Sequence, residues 1–330
     1  MSAKLPTAVL GRTGLEVTRL GFGTALHGAS RPGMPLEQVR GLYDGVLDSG
    51  INFIDTAHDY VDSEEMIGRL AAHRYSEFFL ASKCGCTESD GVQDNSKHEW
   101  TRDNLIRGVE VSLERLGRDS IDVMQLHNPT VEESEAGGLV DALEEMRSRG
   151  MVRFIGVSTT LPHLPTFLEW GAFDVFQIPY SALEPEHDEW ITKAGEAGIG
   201  IVIRGGIAQG EPNVGLGTTD RWAGFRRGGL DELLEEGESS SSFILRYTLS
   251  HPHVHTVIVG TTSLDHLAEN VEATIRGPLS PDVYAEAKRR VLRTLDGVGL
   301  GHFLGGAGCG PGDLPEESLA VLLSPANVVH

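Results

Sequence analysis

The chain has 330 residues, a length within the range of a single α/β barrel. It carries 27 Lys and Arg against 48 Asp and Glu, and its net charge of -21 excludes nucleic acids and anionic membrane surfaces as partners, because both would be repelled. Its three cysteines predict no disulfide framework, and no long apolar run indicates a signal peptide or a membrane anchor. We therefore expect a reduced, cytoplasmic protein.

The first predicted element is a β-hairpin. Two short apolar runs, residues 7–10 and 15–17, flank a turn that contains Gly11 and Gly14, so the hairpin is expected to cap one end of the fold. Residues 18–24 predict the first core strand, in which Gly21 and Gly23 would let a ligand or another backbone approach closely. The third glycine of a dinucleotide-binding fingerprint is missing from this stretch.

From residue 36 onward, predicted helices and strands alternate. Amphipathic or capped segments predict helices at residues 36–48, 63–70, 101–116, 139–149, 164–170, 187–197, 243–250, 264–272 and 281–295. Apolar runs predict strands at residues 51–54, 78–82, 121–126, 152–157, 173–177, 199–204 and 256–259. About eight strand–helix units favour a (β/α)8 TIM barrel with an N-terminal β-hairpin cap over a doubly wound open sheet, which has no glycine fingerprint to support it. We expect one domain over residues 1–330, with its core at 5–296, a long polar insertion at 205–242 and a loosely ordered glycine-rich tail at 297–330.

Three successive predicted strands end in side chains that catalysis can use. These are Asp55, Lys83 and His127, and Tyr60 lies on the loop after the first of them. The loops after the strands build the active site of such a barrel, so the four residues are expected to meet at one mouth. The ammonium of Lys83, held by Asp55, would stabilise the phenolate of Tyr60 and so make the phenol a better general acid. Tyr60 could then donate its proton while His127 orients a carbonyl. The alternative is a buried Asp55 that caps the next helix, with Tyr60 packed over it.

Several spaced motifs together resemble the aldo-keto reductase family over residues 5–296. In chain order they are LEV (15–17), LGFGT (20–24), DTA (55–57) with Tyr60, EE (64–65), SKCG (82–85), SLERLG (112–117), ID (121–122), QLH (125–127), GTT (260–262), HL (266–267) and EN (269–270). The resemblance implies a barrel that binds NADPH without a Rossmann fold, and a catalytic tetrad of Asp55, Tyr60, Lys83 and His127 with Tyr60 as proton donor. The implied activity is NADP-dependent reduction of an aldehyde or ketone to an alcohol, or the reverse reaction.

The resemblance also implies a set of cofactor-binding positions. Thr159 replaces the asparagine that is usual beside the nicotinamide carboxamide, and Arg204 stands where many members stack an aromatic ring, a place in which a planar guanidinium can also stack. Residues 205–210 resemble the loop that covers the pyrophosphate, and Glu269 and Asn270 match the adenine-binding pair. The implied set is Gly23, Thr24, Asp55, Ser158, Thr159, Gln177, Arg204, Gly205, Gly206, Ala208, Gly210, Gly260, Thr261, Thr262, His266, Glu269 and Asn270.

The sequence departs from the family where the 2′-phosphate of NADPH would lie. Members that bind NADPH tightly often carry a lysine at the position of Gly260 and an arginine at that of His266. Here the phosphate would meet Thr261, Thr262 and His266, together with backbone N–H groups at the following helix start. NADPH is the predicted cofactor, with NADH as the alternative.

The substrate is expected to be a small-molecule carbonyl or alcohol. Asn128, next to His127, is a predicted substrate contact, and Trp100, Trp222 and His98 are further candidates whose alternative role is simple packing. The loops that shape the pocket vary most in such a barrel, so neither the physiological substrate nor the oligomeric state follows from the sequence.

Two other functions and two local features leave alternatives open. A cofactor-sensing subunit of a larger assembly is one alternative function, although a pure sensor need not retain the proton donor. A metal-dependent hydrolase is suggested by His58 and Asp59, but it would leave Lys83 and Tyr60 unexplained. The alternating histidines at 251–255 are interpreted as solvated rather than zinc-binding, and no metal site is predicted. Cys84 and Cys86 are either inert or oxidisable thiols.

Overall fold

The computed structural model describes residues 4–25, 34–87, 98–212 and 214–298. The strands are β1 (Thr7–Val9), β2 (Glu16–Thr18), β3 (Leu20–Gly23), β4 (Phe53–Asp55), β5 (Phe79–Cys84), β6 (Ile121–His127), β7 (Val152–Ser158), β8 (Val175–Pro179), β9 (Gly200–Arg204) and β10 (Thr256–Val259). The helices are α1 (Leu36–Asp48), α2 (Ser63–Leu70), α3 (Arg102–Leu116), α4 (Val131–Ala136), α5 (Leu139–Ser148), α6 (Leu164–Trp170), α7 (Asp188–Glu196), α8 (Thr219–Arg227), α9 (Ser240–Leu249), α10 (Leu264–Arg276) and α11 (Pro281–Val298). Among these described helices, none combines the length and apolar character that crossing a membrane requires.

Strands β3 to β10 form a closed parallel barrel. Each pairs with its neighbour along the chain, and β10 closes the ring by pairing with both β9 and β3. Strands β1 and β2 form a separate antiparallel pair in which Thr7 lies opposite Thr18. The predicted (β/α)8 barrel with an N-terminal hairpin is therefore confirmed.

The hairpin closes the bottom of the barrel. Leu10, Leu15 and Val17 pack in one buried cluster with inward-facing residues of five barrel strands, which are Phe53, Ala81, Val123, Val175 and Val202. The turn fits closely against β9, since a Cβ at Gly11 would lie 2.2 Å from the backbone nitrogen of Gly200. The apolar interior thus ends at the hairpin on one side and opens at the carboxyl ends of the strands on the other.

Strand alternation changes the barrel interior from apolar to polar within one step. Side chains two residues apart point to the same face, so the residues that follow the apolar layer on the inner face are Asp55, Lys83, Gln125, Gln177 and Arg204. Another step along β6 brings His127 to the rim. The polar groups therefore gather at the mouth, the end at which barrel enzymes carry their active sites.

Three predictions of local structure need correction. Helix α4 was not predicted, although Thr130 forms a capping box with Glu133 at its start. The region predicted as a polar insertion contains α8, whose Trp222 and Phe225 are buried. Helix α11 extends to Val298, so the first two residues of the predicted tail are helical, and residues 299–330 lie outside the described part of the chain.

Candidate functional site

An enclosed ion pair lies at the centre of the mouth. Lys83 Nζ lies 2.6 Å from Asp55 Oδ2, and the two side chains are 1% and 2% exposed. Lys83 also donates to the carbonyl of Thr56 at 2.8 Å. The other carboxylate oxygen of Asp55 accepts from the amide nitrogens of Gln125 at 3.1 Å and Gln177 at 2.8 Å. Asp55 is thus held from three sides, and it fixes the position of the ammonium.

The charge on Lys83 is stable in this setting. Burial by itself disfavours the charged form, but the carboxylate of Asp55 and the phenol of Tyr60 outweigh it and raise the pKa of Lys83 to about 12. The side chain therefore remains an ammonium across the physiological range.

Tyr60 lies on the loop between β4 and α2, and hydrogen bonds fix that loop. The Thr56 N–H donates to the carbonyl of Ala81 at 2.9 Å, and the Thr56 hydroxyl lies 2.9 Å from that of Ser63. Ser63 in turn donates to the hydroxyl of Thr24 at 2.6 Å. The ends of the loop are therefore tied to β3 and β5, which keeps Tyr60 over the ion pair.

The phenol of Tyr60 faces both a cation and an imidazole. Lys83 Nζ lies 4.9 Å from the ring centroid, and the ring of His127 lies 6.0 Å away at an interplanar angle of 77°. Burial raises the pKa of Tyr60, while the charge of Lys83 opposes the rise without overcoming it. The phenol accordingly stays protonated at neutral pH, and Lys83 stabilises the anion that forms when the proton leaves. The sequence predicted the effect of Lys83 but not the larger effect of burial.

The far side of His127 contacts two side chains that the tetrad does not include. His127 Nδ1 lies 3.1 Å from Cys86 Sγ and 3.4 Å from an oxygen of Asp59. Asp59 is 1% exposed, and the proximity of His127 and Lys83 lowers its pKa against the opposing effect of burial. Because Nδ1 faces these neighbours, Nε2 is the nitrogen that His127 can offer to a substrate oxygen.

A second buried polar network supports the Tyr60 loop from the helix side. Glu64, 2% exposed, accepts from Ser82 at 2.7 Å and lies 3.6 Å from the guanidinium of Arg115. Arg115 also donates to the carbonyl of His58 at 3.1 Å, and His58 Nδ1 lies 3.3 Å from the hydroxyl of Ser112. His58 therefore belongs to this supporting network between α2 and α3, which does not favour the hydrolase suggested by its sequence position.

The residues predicted to hold the nicotinamide end lie side by side along β7 and β8. Ser158 and Gln177 are paired across these strands, and the Thr159 N–H donates to the Gln177 carbonyl at 3.0 Å. Ser158 donates its hydroxyl to the side chain of Asn128 at 3.0 Å. Asn128 is exposed and adopts a left-handed φ of 61°, which turns it onto the rim next to His127.

Arg204 and residues 205–210 form the next part of the rim. The Nε atom of Arg204 is buried and has no hydrogen-bond partner among the described residues. Gly205, Ala208, Gln209 and Gly210 all have positive φ angles, of 70°, 49°, 64° and 77°, so this loop is a series of tight left-handed turns.

Trp222 supports this loop from below. It is 3% exposed, and its indole N–H donates to the carbonyl of Ala208 at 3.2 Å. A Cβ at Gly217 would lie 2.3 Å from the indole nitrogen, so the ring is closely enclosed. Trp222 thus packs beneath this loop, as in the alternative that the sequence left open, and its contact with a substrate stays a prediction. Trp100, by contrast, stacks on His98 at 4.9 Å, and His98 in turn meets the ring of His127 edge-on at 5.6 Å.

The last predicted cofactor positions surround the start of α10. Gly260 follows β10, and a Cβ there would lie 2.9 Å from the carbonyl oxygen of Gly23. A lysine at this position would require the backbone to shift. Ser263 caps the helix by accepting from the N–H of His266 at 3.3 Å, and it donates its own N–H to Thr261 at 3.1 Å. The positive end of the α10 dipole is therefore the main fixed attraction for a phosphate here.

Glu269 and Asn270 lie one turn further along α10. Glu269 is half-buried and accepts hydrogen bonds from the hydroxyls of Ser239 and Ser242, the latter at 3.3 Å. Asn270 is 6% exposed, and its carbonyl accepts from Thr274 at 2.8 Å. The two serines at the start of α9 thus hold the Glu269 carboxylate on the side of α10 that faces α9.

Taken together, these groups fit a nicotinamide dinucleotide. The carboxamide-sized polar rim at Ser158, Thr159 and Gln177 is followed by the unpartnered Arg204 Nε, the left-handed loop and a capped helix start. All lie at the carboxyl ends of adjacent strands β7 to β10, so one extended ligand can follow them in order.

Sequence reasoning missed four side chains that matter to the geometry. Gln125 and Asp59 were overlooked as neighbours of Asp55 and His127, while His98 and Cys86 were noted without their contact partners. For Gln125 a signal was present, because it lies two residues before His127 on the same strand face. Asp59, Cys86 and His98 lie in loops, where no periodic pattern indicates direction.

The chain is similar to a known protein family, to curated relatives and to solved structures. Residues 19–211 match a family model described as the aldo/keto reductase family. The chain is 26% identical over 280 residues to an uncharacterised oxidoreductase of Bacillus subtilis, covering 80% of this chain and 89% of that protein. It is also 26% identical over 300 residues to the NADH-specific methylglyoxal reductase of Escherichia coli, covering 80% and 92% of the two chains. Among solved structures, the holo form of the aldo-keto reductase AKR11C1 from Bacillus halodurans superimposes with a TM-score of 0.76 at 27% identity, over 87% of this chain and 96% of that one.

Proposed function

The chain belongs to the aldo/keto reductase family, and from that premise we propose that it is an NAD(P)H-dependent oxidoreductase that reduces an aldehyde or ketone to an alcohol, or catalyses the reverse reaction. The observation that carries the proposal is the enclosed Lys83–Asp55 ion pair beneath Tyr60, with His127 beside the phenol. The fixed positive charge of Lys83 stabilises the phenolate that forms when Tyr60 gives up its proton.

Tyr60 is the proposed general acid. Its phenol is protonated at rest because burial raises its pKa, and the Lys83 ammonium stabilises the phenolate left after transfer. A nicotinamide cofactor, if held beside this site, would supply the hydride for the carbonyl carbon. In the oxidation direction, the phenolate takes the alcohol proton by the same path.

His127 is proposed to orient and polarise the carbonyl. Its Nδ1 faces Asp59 and Cys86, which leaves Nε2 to donate to the substrate oxygen. Asn128 on the rim and Trp100 behind His98 are proposed substrate-side contacts. The substrate class is a small carbonyl compound or alcohol.

The cofactor is proposed to extend from β7 to α10. Ser158, Thr159 and Gln177 would hold the carboxamide, Arg204 would stack on the nicotinamide, and residues 205–210 would cover the pyrophosphate. Glu269 and Asn270 would bind the adenine. We predict NADPH rather than NADH, although positions 260 and 266 hold a glycine and a histidine and so carry no permanent charge. The NADH-specific Escherichia coli relative makes the comparison of both cofactors necessary.

The site of action is proposed to be the cytoplasm. Cys84 and Cys86 are buried free thiols, and a reducing compartment keeps such groups unoxidised.

The test is the variant Tyr60→Phe. We expect it to abolish carbonyl reduction while cofactor affinity stays within about twofold, because only the transferable proton is removed. Cofactor binding is followed by fluorescence titration with NADPH and NADH, and turnover by cofactor absorbance with a panel of carbonyls and alcohols. The matched control is Tyr75→Phe, which removes a phenol outside the mouth. Unchanged turnover in Tyr60→Phe would refute the assigned role, and cofactor binding without turnover in the wild-type protein would favour a sensing subunit.

A further inference from the structure

We propose that Cys86, His98 and His127, together with the carboxylate of Asp59, form a binding site for a thiophilic divalent cation such as Zn²⁺, and that its occupation inhibits carbonyl reduction. The binding is independent of the reductase activity. The inhibition rests on the proposed role of His127.

The first support is the donor set. Cys86, His98 and His127 each offer one ligand atom, and these atoms all lie within 4.8 Å of one another. In a tetrahedral zinc site with metal–ligand distances of about 2.0–2.3 Å, neighbouring ligand atoms are about 3.5 Å apart, so adjustments of roughly an ångström complete the geometry. One thiolate and two imidazoles are ligands that Zn²⁺ prefers and that Mg²⁺ and Ca²⁺ avoid.

The second support is Asp59, which gives the cluster its negative charge. Its side chain is 1% exposed, and neither carboxylate oxygen has a hydrogen bond of ordinary geometry among the described residues. His127 Nδ1 lies 3.4 Å from one of these oxygens, beyond the usual range for such a bond. Lys83 is engaged with Asp55 at 2.6 Å. The groups around this buried carboxylate include His127 and the Cys86 thiol, and a cation held by the three neighbouring ligands would place a further positive charge beside it.

The third support is that the backbone already holds His98 in place. Cys86 and His98 form an antiparallel bridge, and the next N–H, that of Glu99, donates to the carbonyl of Gly85 at 2.9 Å. Asn104 donates to the Glu99 carbonyl at 2.9 Å. The His98 ring stacks on Trp100 at 4.9 Å and meets the His127 ring edge-on at 5.6 Å. The two imidazoles are therefore oriented toward each other before any ion arrives.

Access and proton balance are also consistent with binding. His98 is half-buried, whereas Cys86 and His127 are 2% and 5% exposed, so an ion would enter past His98. Binding forms the bond from Cys86 Sγ to the cation and breaks the S–H bond, and the proton leaves to solvent. No electron is transferred. The bound ion fixes the imidazole of His127, which can then no longer adjust to a substrate carbonyl.

The binding experiment uses the full-length protein without a histidine tag and Co²⁺ as a spectroscopic probe. We expect one equivalent of Co²⁺ to produce a sulfur-to-metal charge-transfer absorption, which Zn²⁺ displaces and Mg²⁺ does not. Cys86→Ser should abolish the band, and His98→Gln should weaken binding by about tenfold or more, the scale of losses seen even for outer-shell partners. Cys84→Ser is the matched control, since Cys84 is an equally buried thiol that contacts the carbonyl of Gln125 instead.

The inhibition experiment is separate. Zn²⁺ should reduce turnover of the wild-type protein and of Cys84→Ser, a chelator should restore it, and the residual activity of Cys86→Ser should resist Zn²⁺. Absence of a saturable sulfur band, or equal titrations of wild-type protein and Cys86→Ser, would overturn the site. If the protein shows no turnover at all, the Co²⁺ titration still decides the metal site, so the failure of one proposal is distinguishable from that of the other.

Discussion

At the scale of single residues, the buried pair of Asp55 and Lys83 carries an energetic risk. Two charges that are 2% and 1% exposed have lost their hydration, and they are stable only because of the partners that replace it. The two groups pair with each other, Asp55 also accepts from the amides of Gln125 and Gln177, and Lys83 also donates to the Thr56 carbonyl. Removing one charge alone would leave the other buried without a partner.

A double-mutant cycle tests this dependence. We expect Lys83→Met to lower the free energy of unfolding by about 3–5 kcal/mol, as for other buried pairs that lose one partner. The double variant Asp55→Asn with Lys83→Met should recover much of that loss, because the amide oxygen of Asn can still accept from both glutamines. Denaturant titrations measure the effect, and a double variant as unstable as Lys83→Met would contradict it.

A second residue-scale prediction concerns cofactor preference. His266 lies in the first turn of α10 and is half-buried, and its N–H donates to the N-cap residue Ser263. Replacement by arginine adds a permanent charge that can donate to a 2′-phosphate, so we expect His266→Arg to increase the NADPH-to-NADH affinity ratio by about tenfold. Parallel titrations with both cofactors measure the ratio. His253→Arg, which adds the same charge elsewhere, should leave it unchanged.

The same residues show why the site was only partly predictable. Asp55 and His127 are the last residues of their strands and Lys83 is the last but one of β5, so the alternation of each strand fixes their direction once a barrel is assumed. Asp59 and Cys86 lie in loops, and only the folded structure shows that both reach His127 Nδ1. At Tyr60 the sequence indicates only the effect of Lys83, which lowers the pKa, whereas burial raises the pKa by more. The sequence does not show this burial, because it depends on neighbours that are distant in sequence.

At the scale of elements, the hairpin of β1 and β2 has a structural role that is separate from the site. Leu10 is fully buried in the apolar cluster that the hairpin forms with the inward-facing residues at the bottom of the barrel. Its neighbour Val9 is 55% exposed. The hairpin and the catalytic mouth lie at opposite ends of the strands, so the two ends can be perturbed independently.

Leu10→Ala and Val9→Ala make a matched pair for this separation. We expect Leu10→Ala to lower the free energy of unfolding by about 2–5 kcal/mol, through lost burial and the cavity left behind, and Val9→Ala to change it little. Thermal and denaturant unfolding measure stability, while KM for the carbonyl should stay unchanged in both variants. A large change of KM in Leu10→Ala would show that the barrel bottom and the mouth are coupled.

Element boundaries were predictable where capping and periodicity agreed. Helices α1 and α6 have the predicted bounds, and α3 begins one residue after the predicted start because Thr101 is its N-cap. Helix α8 was not predicted because most of its residues are polar or charged, and only Trp222 and Phe225 are buried against the rest of the fold. A short apolar anchor inside a charged segment gives too weak a periodic signal to distinguish a helix from a loop.

At the scale of the whole molecule, buried histidines in the carboxyl-terminal half of the barrel make the stability of the fold depend on pH. His187 and His251 are each 1% exposed. His187 Nε2 lies 2.8 Å from the Thr160 hydroxyl, with Arg204 and Glu186 as its charged neighbours. His251 Nε2 lies 3.3 Å from the carbonyl of Asp188, in a group with Lys288 and His253. The expected solvated histidine at 251 is therefore incorrect, because packing between α7 and α9 encloses it.

These histidines predict loss of stability in mild acid. Burial, reinforced by Arg204, lowers the pKa of His187 to about 4, and burial lowers that of His251 to about 4 despite the opposing charge of Asp188. Between pH 6.5 and 4 the unfolded chain therefore binds protons that the folded protein does not. The free energy of unfolding should fall as the pH decreases through this window, by roughly 1.4 kcal/mol per pH unit for each histidine.

Denaturant titrations between pH 7 and pH 4 on wild-type protein, His187→Gln, His251→Gln and the double variant separate this effect from the titration of carboxylates. Each glutamine keeps an amide that can accept, as the His187 imidazole does from the Leu161 N–H, or donate, as the His251 imidazole does to the Asp188 carbonyl, but it takes up no proton. Each single variant should therefore reduce the slope by about one proton and the double variant by about two. Equal slopes in all four proteins would mean that the imidazoles become protonated without unfolding the structure. In that case the packing between α7 and α9 must yield locally, and hydrogen exchange of those two helices would then increase below pH 6 while the barrel strands stay protected.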